Sequence, residues 1–170
     1  MTKSIMKGAG AVGNRFTDFL ENAFGEFDIP YIDYKNRALI GIREYDGLAF
    51  LSGTACEDHL TGMPIWTGEV GNQLTLEEGY KAARWCGLIQ LNMLHNAYGL
   101  DRVEQIIRSY GLIQVADDFY DLDAVYDGYS DVMFAALRDR GRHVRTVMGT
   151  RNLPNRHVTI EVETIAKIRA

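Results

Sequence analysis

The feature that most constrains the fold is a long capped helix pattern in the middle of the chain. From Leu76 to Tyr98, apolar residues recur every three or four positions, which predicts an amphipathic helix. Thr75 and Glu78 form the capping-box pair that begins such a helix, and Gly99 is a typical residue at its end. A helix with one apolar face needs a second layer to cover that face.

Strand patterns occur before and after this helix in the sequence, and they predict a sheet as the second layer. Apolar runs at 38–42 and 48–51 flank the turn dipeptide Asp46 and Gly47, which predicts a β-hairpin. The later elements are predicted as strands at 103–115, 143–148 and 158–168 and a helix at 121–137, with Gly111 marking a bulge or bend. This order predicts an α+β fold in which two helices cover one face of a mixed sheet. The other face is then available to a second copy of the chain.

The first part of the chain differs in character from the rest. Residues 1–14 are rich in glycine and predict a flexible arm, and the pattern at 16–24 predicts a short helix. We therefore divide the chain into an N-terminal extension, 1–35, and a folded domain, 36–170. We find no signal-peptide pattern and no apolar run long enough to cross a membrane, so we expect a cytoplasmic protein.

Charge and metal-ligand spacing exclude several classes of partner. The 170-residue chain carries a formal charge of −5, which disfavours binding to nucleic acid or to an anionic membrane. Its two cysteines, Cys56 and Cys86, have neither zinc-site nor disulfide-framework spacing. The four histidines show no ligand pairing, so we expect no metal. Cys56 lies in a loop, where it is either a packed small residue or a reactive thiol.

Two segments near the C-terminus contain residues suited to acid–base chemistry or to binding a carboxylate. Glu161 and Glu163 are two residues apart on a predicted strand and share one of its faces. They are either a solvated face or include a general acid–base carboxylate near a cation that tunes its pKa. Arg145 lies within an apolar run, where it is either a surface residue or a carboxylate-binding fork. His143 is next to this run and is either structural or a polar contributor to the site.

These residues also carry a resemblance to a known family. The segment RTVMGTRNLPNRHVTIEVETIA, 145–166, resembles the closing signature of the Rid family, also called YjgF/YER057c/UK114. Leu153 and Pro154 follow Arg145 at the family spacing, and Glu161 and Glu163 occupy the two glutamate positions after one inserted residue. The resemblance covers 38–168 and is closest to the longer endoribonuclease L-PSP/chorismate-mutase-like branch.

The resemblance implies a chorismate-mutase-like fold, a homotrimer whose sheets form a central barrel, and ligand clefts between subunits. It implies hydrolysis of a small carboxylated enamine or imine to a keto acid and ammonia, with no cofactor, in some members within aromatic catabolism. Carried over to this chain, Arg145 binds the substrate carboxylate and Glu161 positions or activates water. Ser52 and Gly53 line the pocket.

The chain also departs from the best-known deaminases of the family. A gapless alignment puts Gly128, next to Asp127, where those enzymes have asparagine. His143 and Cys56 are candidates to supply the missing polar groups. Two alternatives therefore stay open: a lyase that releases ammonia from an aromatic hydroxylamino acid, and a non-catalytic trimer that binds a ligand or acts as a chaperone.

Overall fold

The structure, a computed structural model, describes residues 41–58 and 61–170. In this part of the chain, five strands form one mixed sheet and two long helices pack against it. The strands are β1 (Ile42–Tyr45), β2 (Leu48–Ala55), β3 (Val103–Gln114), β4 (Val144–Thr150) and β5 (Ile160–Ile168), and the helices are α1 (Leu76–Tyr98) and α2 (Leu122–Leu137). The predicted arm, the helix at 16–24 and the boundary at 35/36 lie outside the described residues.

The predicted hairpin is confirmed, and its turn explains why it forms. Asp46 and Gly47 have φ values of 51° and 70°, the left-handed region that a two-residue hairpin turn requires. The turn places Tyr45 opposite Leu48 and joins β1 to β2. Aspartate and glycine adopt these angles with little strain, which sets the register of the hairpin.

The central helix is also confirmed, with the predicted bounds and cap. The Thr75 hydroxyl accepts a hydrogen bond from the backbone N–H of Glu78 (3.2 Å), and the Glu78 carboxylate accepts one from the backbone N–H of Thr75 (2.8 Å). Gly99 ends α1 with φ 81°. α1 supplies a large share of the buried core, and α2 packs along it on the same side of the sheet.

The sheet order is β1-β2-β5-β3-β4. β3 and β4 are parallel because α2 carries the chain back across the sheet between them, and the other pairs are antiparallel. Side chains alternate along β5: Ile160 and Val162 are buried beneath the helices, whereas Glu161 and Glu163 lie on the opposite side. We call that opposite side, which the described helices do not cover, the open face.

The prediction of a bulge or bend at Gly111 is wrong. The pairing of β3 with β5 shifts between Val103 and Gln105 and again between Ile106 and Arg108, and it is regular around Gly111. Gly111 instead lies directly against the ring of Tyr126 from α2, where a β-carbon would collide with that ring. Its missing side chain makes room for a helix residue.

In the part of the chain that the structure describes, neither long helix is long and apolar enough to cross a membrane.

Candidate functional site

The structure separates the two residues that the sequence placed in one site. Arg145 pairs with Ser109 across β3 and β4, and Ser109 pairs with Thr164 on β5. The Thr164 hydroxyl lies 2.5 Å from the hydroxyl of Tyr129 on α2, so this row of side chains faces the helices. Glu161 lies on the open face. Within one subunit, therefore, the candidate carboxylate-binding residue and the candidate acid–base residue are on opposite faces of the sheet.

The Arg145 guanidinium is held by side chains of α2. Its Nη1 donates hydrogen bonds to the Asp127 carboxylate (2.7 Å) and to the Ser130 hydroxyl (3.0 Å), and its Nη2 donates to the Asp123 carboxylate (3.1 Å). The guanidinium carbon lies 5.7 Å from the centre of the Tyr126 ring. These contacts use three of the five N–H donors of Arg145. Both aspartates are more than half exposed on their side chains, at 79% and 53%.

His143 extends this group of polar residues. Its Nδ1 lies 2.7 Å from the carbonyl oxygen of Gly141, and its Nε2 lies 3.3 Å from the Ser130 hydroxyl. The ring also meets the ring of Tyr129 edge-on, with centres 5.5 Å apart. We call Arg145, Asp123, Asp127, Ser130 and His143 the arginine cluster.

Two effects lower the pKa of His143. Burial beneath α2 is the larger, and the positive charge of Arg145 adds to it, while the hydrogen bond to the Gly141 carbonyl acts in the opposite direction. A histidine with a lowered pKa is neutral at physiological pH and has a free lone pair on one ring nitrogen. The cluster therefore holds a neutral base beside a fixed cation.

A second group of predicted residues meets on the open face. The Glu161 carboxyl lies directly over Gly53, where a β-carbon would collide with it, and Ser52 is the neighbouring exposed residue of β2. Burial raises the pKa of Glu161, and the nearby carboxyls of Glu163 and Glu57 raise it further. A carboxyl group in this environment retains its proton to higher pH than usual and is suited to act as a general acid.

Two shallow depressions on the open face are lined in part by Glu163, the next residue after Glu161 on that face of β5. One, of about 330 Å³, is lined by residues that include Arg43, Phe50, Ser52 and Glu163. The other, of about 160 Å³, is lined by residues that include Arg108 and again Glu163. Both combine an arginine, a carboxyl group and apolar side chains, which suits a small ligand with an anionic group.

The remaining two predicted residues, Gly128 and Cys56, have surroundings that favour a packing role over a chemical one. Gly128 faces α1, and a β-carbon there would collide with the backbone carbonyl of Tyr80. It allows close packing of the helices. Cys56 is completely buried, and its thiol lies 3.3 Å from the carbonyl oxygen of Trp66. Burial raises the pKa of this thiol, which disfavours the reactive thiolate.

Four residues of these two groups were not identified from the sequence. Asp123 and Ser130 are four residues before and three after Asp127 on α2, so the helical spacing alone places all three on one face. Asp123 and Ser130 could therefore have been found from their helical spacing to Asp127. Arg43 and Arg108 come from β1 and β3, and only strand pairing brings them near Glu163. Among the described residues, no group of three or more His, Cys, Asp or Glu is placed to hold a metal ion.

Comparison with known sequences identifies two matches that cover much of the chain. The family model YjgF/chorismate_mutase-like, putative endoribonuclease, matches residues 45–163. Protein TCP17 from Trypanosoma cruzi is 31% identical over 104 residues, which is 60% of this chain. The match covers 64% of the length of that relative.

Solved structures share the same fold. The protein Atu1372 of unknown function from Agrobacterium tumefaciens superposes with a TM-score of 0.78 at 22% identity, covering 93% of this chain and 98% of that one. A putative endoribonuclease from Shewanella oneidensis MR-1 superposes with a TM-score of 0.74 at 23% identity, covering 88% and 99%. These similarities establish the architecture.

Proposed function

Because the chain belongs to the YjgF/chorismate mutase-like family, which includes imine deaminases, we propose that it releases ammonia from a small carboxylated enamine or imine without a cofactor. The observation that carries this proposal is the environment of Glu161. Its carboxyl group is held over Gly53 on the open face, and its raised pKa favours the protonated form. An enamine becomes an electrophilic iminium ion when its carbon is protonated, so a proton-donating carboxyl group fits the first step.

The arginine cluster has the charges that such a substrate needs. Two N–H donors of Arg145 remain for a substrate carboxylate beyond those that bind Asp123, Asp127 and Ser130. In the cluster, two aspartate carboxylates surround one guanidinium. When a substrate carboxylate binds Arg145, the excess negative charge of the aspartates favours a positively charged nitrogen on the same substrate. An iminium carboxylate carries both groups.

The proposed site requires two copies of the chain, because one copy keeps Arg145 and Glu161 on opposite faces. Among the described strands, β4 pairs with β3 alone, so the arginine cluster lies at an edge of the sheet. We propose that this edge of one copy meets the open face of the next in a homotrimer. Arg145 of one copy and Glu161 of another then enclose the substrate.

The experiment measures ammonia release above the spontaneous rate from 2-aminoacrylate and from 2-aminomuconate. Replacing Glu161 by Gln removes the acid but preserves shape, and we expect kcat to fall by about 10²–10⁴-fold. Arg145→Lys retains the charge but loses the planar fork, so KM should rise by at least about tenfold. Arg151→Ala is the matched control, because Arg151 pairs with the exposed Asp117 (2.9 Å) outside the cluster.

Three results would contradict the proposal. One is a wild-type protein that accelerates neither substrate. A second is unchanged kinetics in Glu161→Gln. The third is tight binding of a carboxylated ligand with no ammonia release from either substrate, which would favour the non-catalytic alternative.

A further inference from the structure

We propose that Ser130 and His143 form a proton relay that activates the water attacking the iminium carbon and then protonates the leaving ammonia. This inference rests on the proposed function and adds a base to a site whose only other assigned proton carrier is Glu161. Once it has protonated the enamine carbon, Glu161 is a carboxylate that must be reprotonated before the next turnover, and the relay assigns the activation of water to a different group, on the Arg145 side of the substrate.

The hydrogen bonds of His143 determine which of its nitrogens acts as the base. A carbonyl oxygen only accepts hydrogen bonds, so the contact of Nδ1 with the Gly141 carbonyl (2.7 Å) requires the proton to be on Nδ1. In the neutral ring, Nε2 then carries the lone pair, and it points at the Ser130 hydroxyl 3.3 Å away. Ser130 is therefore the donor in that contact.

The Ser130 hydroxyl has one acceptor position left for water. Its hydrogen is directed to His143, and one of its two lone pairs accepts a hydrogen bond from Arg145 Nη1 (3.0 Å). The second lone pair is unused by the contacts in the described part of the chain. Ser130 is partly exposed, so a water molecule can donate to that lone pair while it lies close to the substrate that Arg145 holds.

Protons and electron pairs are conserved over the two steps that follow protonation of the enamine. Water transfers a proton to Ser130 as Ser130 transfers its own proton to His143 Nε2, and the resulting hydroxide forms the C–O bond. The electron pair of the C=N π bond moves to nitrogen and gives a neutral carbinolamine. The imidazolium then returns its proton through Ser130 to that nitrogen, the C–N bond breaks, and ammonia leaves with the bonding pair. The carbinolamine hydroxyl transfers its proton to the Glu161 carboxylate as the C=O bond of the keto acid forms, which restores the acid form of Glu161 for the next turnover.

The charges around His143 favour return of the proton. The ring packs edge-on against Tyr129 of α2, and its Nε2 and the guanidinium of Arg145 on β4 both contact the Ser130 hydroxyl. Asp123 and Asp127, also on α2, pair with that guanidinium. An imidazolium beside Arg145 is electrostatically unfavourable and is a stronger acid than free imidazole, which helps it protonate the leaving group.

The test is the pH profile of kcat for the wild-type protein and for His143→Gln, with the better of the two substrates named above. The wild-type kcat should rise as the pH increases through the lowered pKa of His143, because only the neutral ring accepts a proton. In His143→Gln that ascending limb should disappear and kcat should fall by about 10²–10⁴-fold, with KM within about twofold of wild type. His157→Gln changes an exposed histidine outside the cluster and is the matched control.

A pair of serine variants tests the relay without changing the histidine. Ser130→Ala should lower kcat in the same way, and Ser130→Thr, which retains the hydroxyl, should restore most of it. A normal rate and an unchanged ascending limb in both His143→Gln and Ser130→Ala would overturn the relay and leave the proposed function standing. Failure of the wild-type protein to release ammonia from either substrate would overturn both.

Discussion

At the scale of single residues, Glu161 is placed where its charge is costly to the fold. Burial raises its pKa, and Glu163 and Glu57 add two further negative charges nearby. The folded protein therefore binds a proton at Glu161 at a pH where the unfolded chain, with a glutamate pKa of about 4.3, is already ionised. The ionised form of Glu161 therefore destabilises the folded state.

This linkage predicts that Glu161→Gln stabilises the protein at pH 7, although under the proposed function the same variant has a lower kcat. The stability of the wild type should rise as the pH falls through the raised pKa, because the folded state takes up a proton before the unfolded state does. Thermal denaturation at pH 7 and at about pH 4 measures the effect, and the advantage of the variant should shrink at the lower pH. Glu104→Gln, at an exposed position on β3, is the matched control. A Glu161→Gln protein that is less stable than wild type at pH 7 would contradict this account.

At the scale of elements, α1 is both the most predictable part of the chain and the centre of its core. Thirteen of its residues are buried, so its apolar face contacts the sheet on one side and α2 on another. Thr75 determines where the helix begins, because its hydroxyl and the Glu78 carboxylate satisfy two backbone N–H groups that would otherwise lack partners.

We therefore expect Thr75→Ala to lower the free energy of unfolding by about 1 kcal/mol. Lys81→Ala is the matched comparison on the same helix. It removes an exposed ion pair between Lys81 and Glu77 (2.8 Å), which solvent screens strongly and which should therefore stabilise the helix less than the cap does. Urea denaturation of the two variants measures the difference. If Thr75→Ala cost no more than Lys81→Ala, the capping box would not stabilise α1.

At the scale of the whole molecule, the open face is the part of the fold that one subunit leaves uncovered. Its exposed apolar side chains include Phe50, Val144 and Met148, with 40%, 68% and 49% of their surface accessible. Arg43 and Arg108 lie on the same face, in one row with Phe50 and Val144 across the strands. Apolar side chains interrupted by polar groups on one face favour an interface between copies of the chain over a purely solvated surface.

This face predicts the assembly. The molar mass of the full chain measured by sedimentation should be three times that of one subunit. Val144→Asp should lower the measured mass without unfolding the subunit, because it places a charge in the interface. Phe134→Gln is the control, since Phe134 is also an exposed apolar residue (43%) but lies on α2, away from the open face. Analytical ultracentrifugation and circular dichroism measure the two properties. A monomeric wild-type protein would contradict both the trimer and the proposed two-copy site.

Local chemistry explains what the sequence by itself determined. The α1 bounds, the hairpin turn at Asp46 and Gly47 and the alternation along β5 follow from capping, turn angles and periodicity. Each of these depends on residues only a few positions apart. The family could also be identified from the sequence, because its signature residues are contiguous near the C-terminus.

Only the tertiary structure decided which candidate residues share a site. The face that a strand residue occupies depends on pairing register and on which side the helices pack, and both are set by contacts far apart in sequence. Parallel pairing of β4 with β3 directs Arg145 toward the helices, while antiparallel pairing of β5 leaves Glu161 on the open face. The sequence alone predicted both Arg145 and Glu161 as site residues, and their roles stay predictions. Their separation, and the grouping of Arg145 with Ser130 and His143, followed from how the sheet assembled.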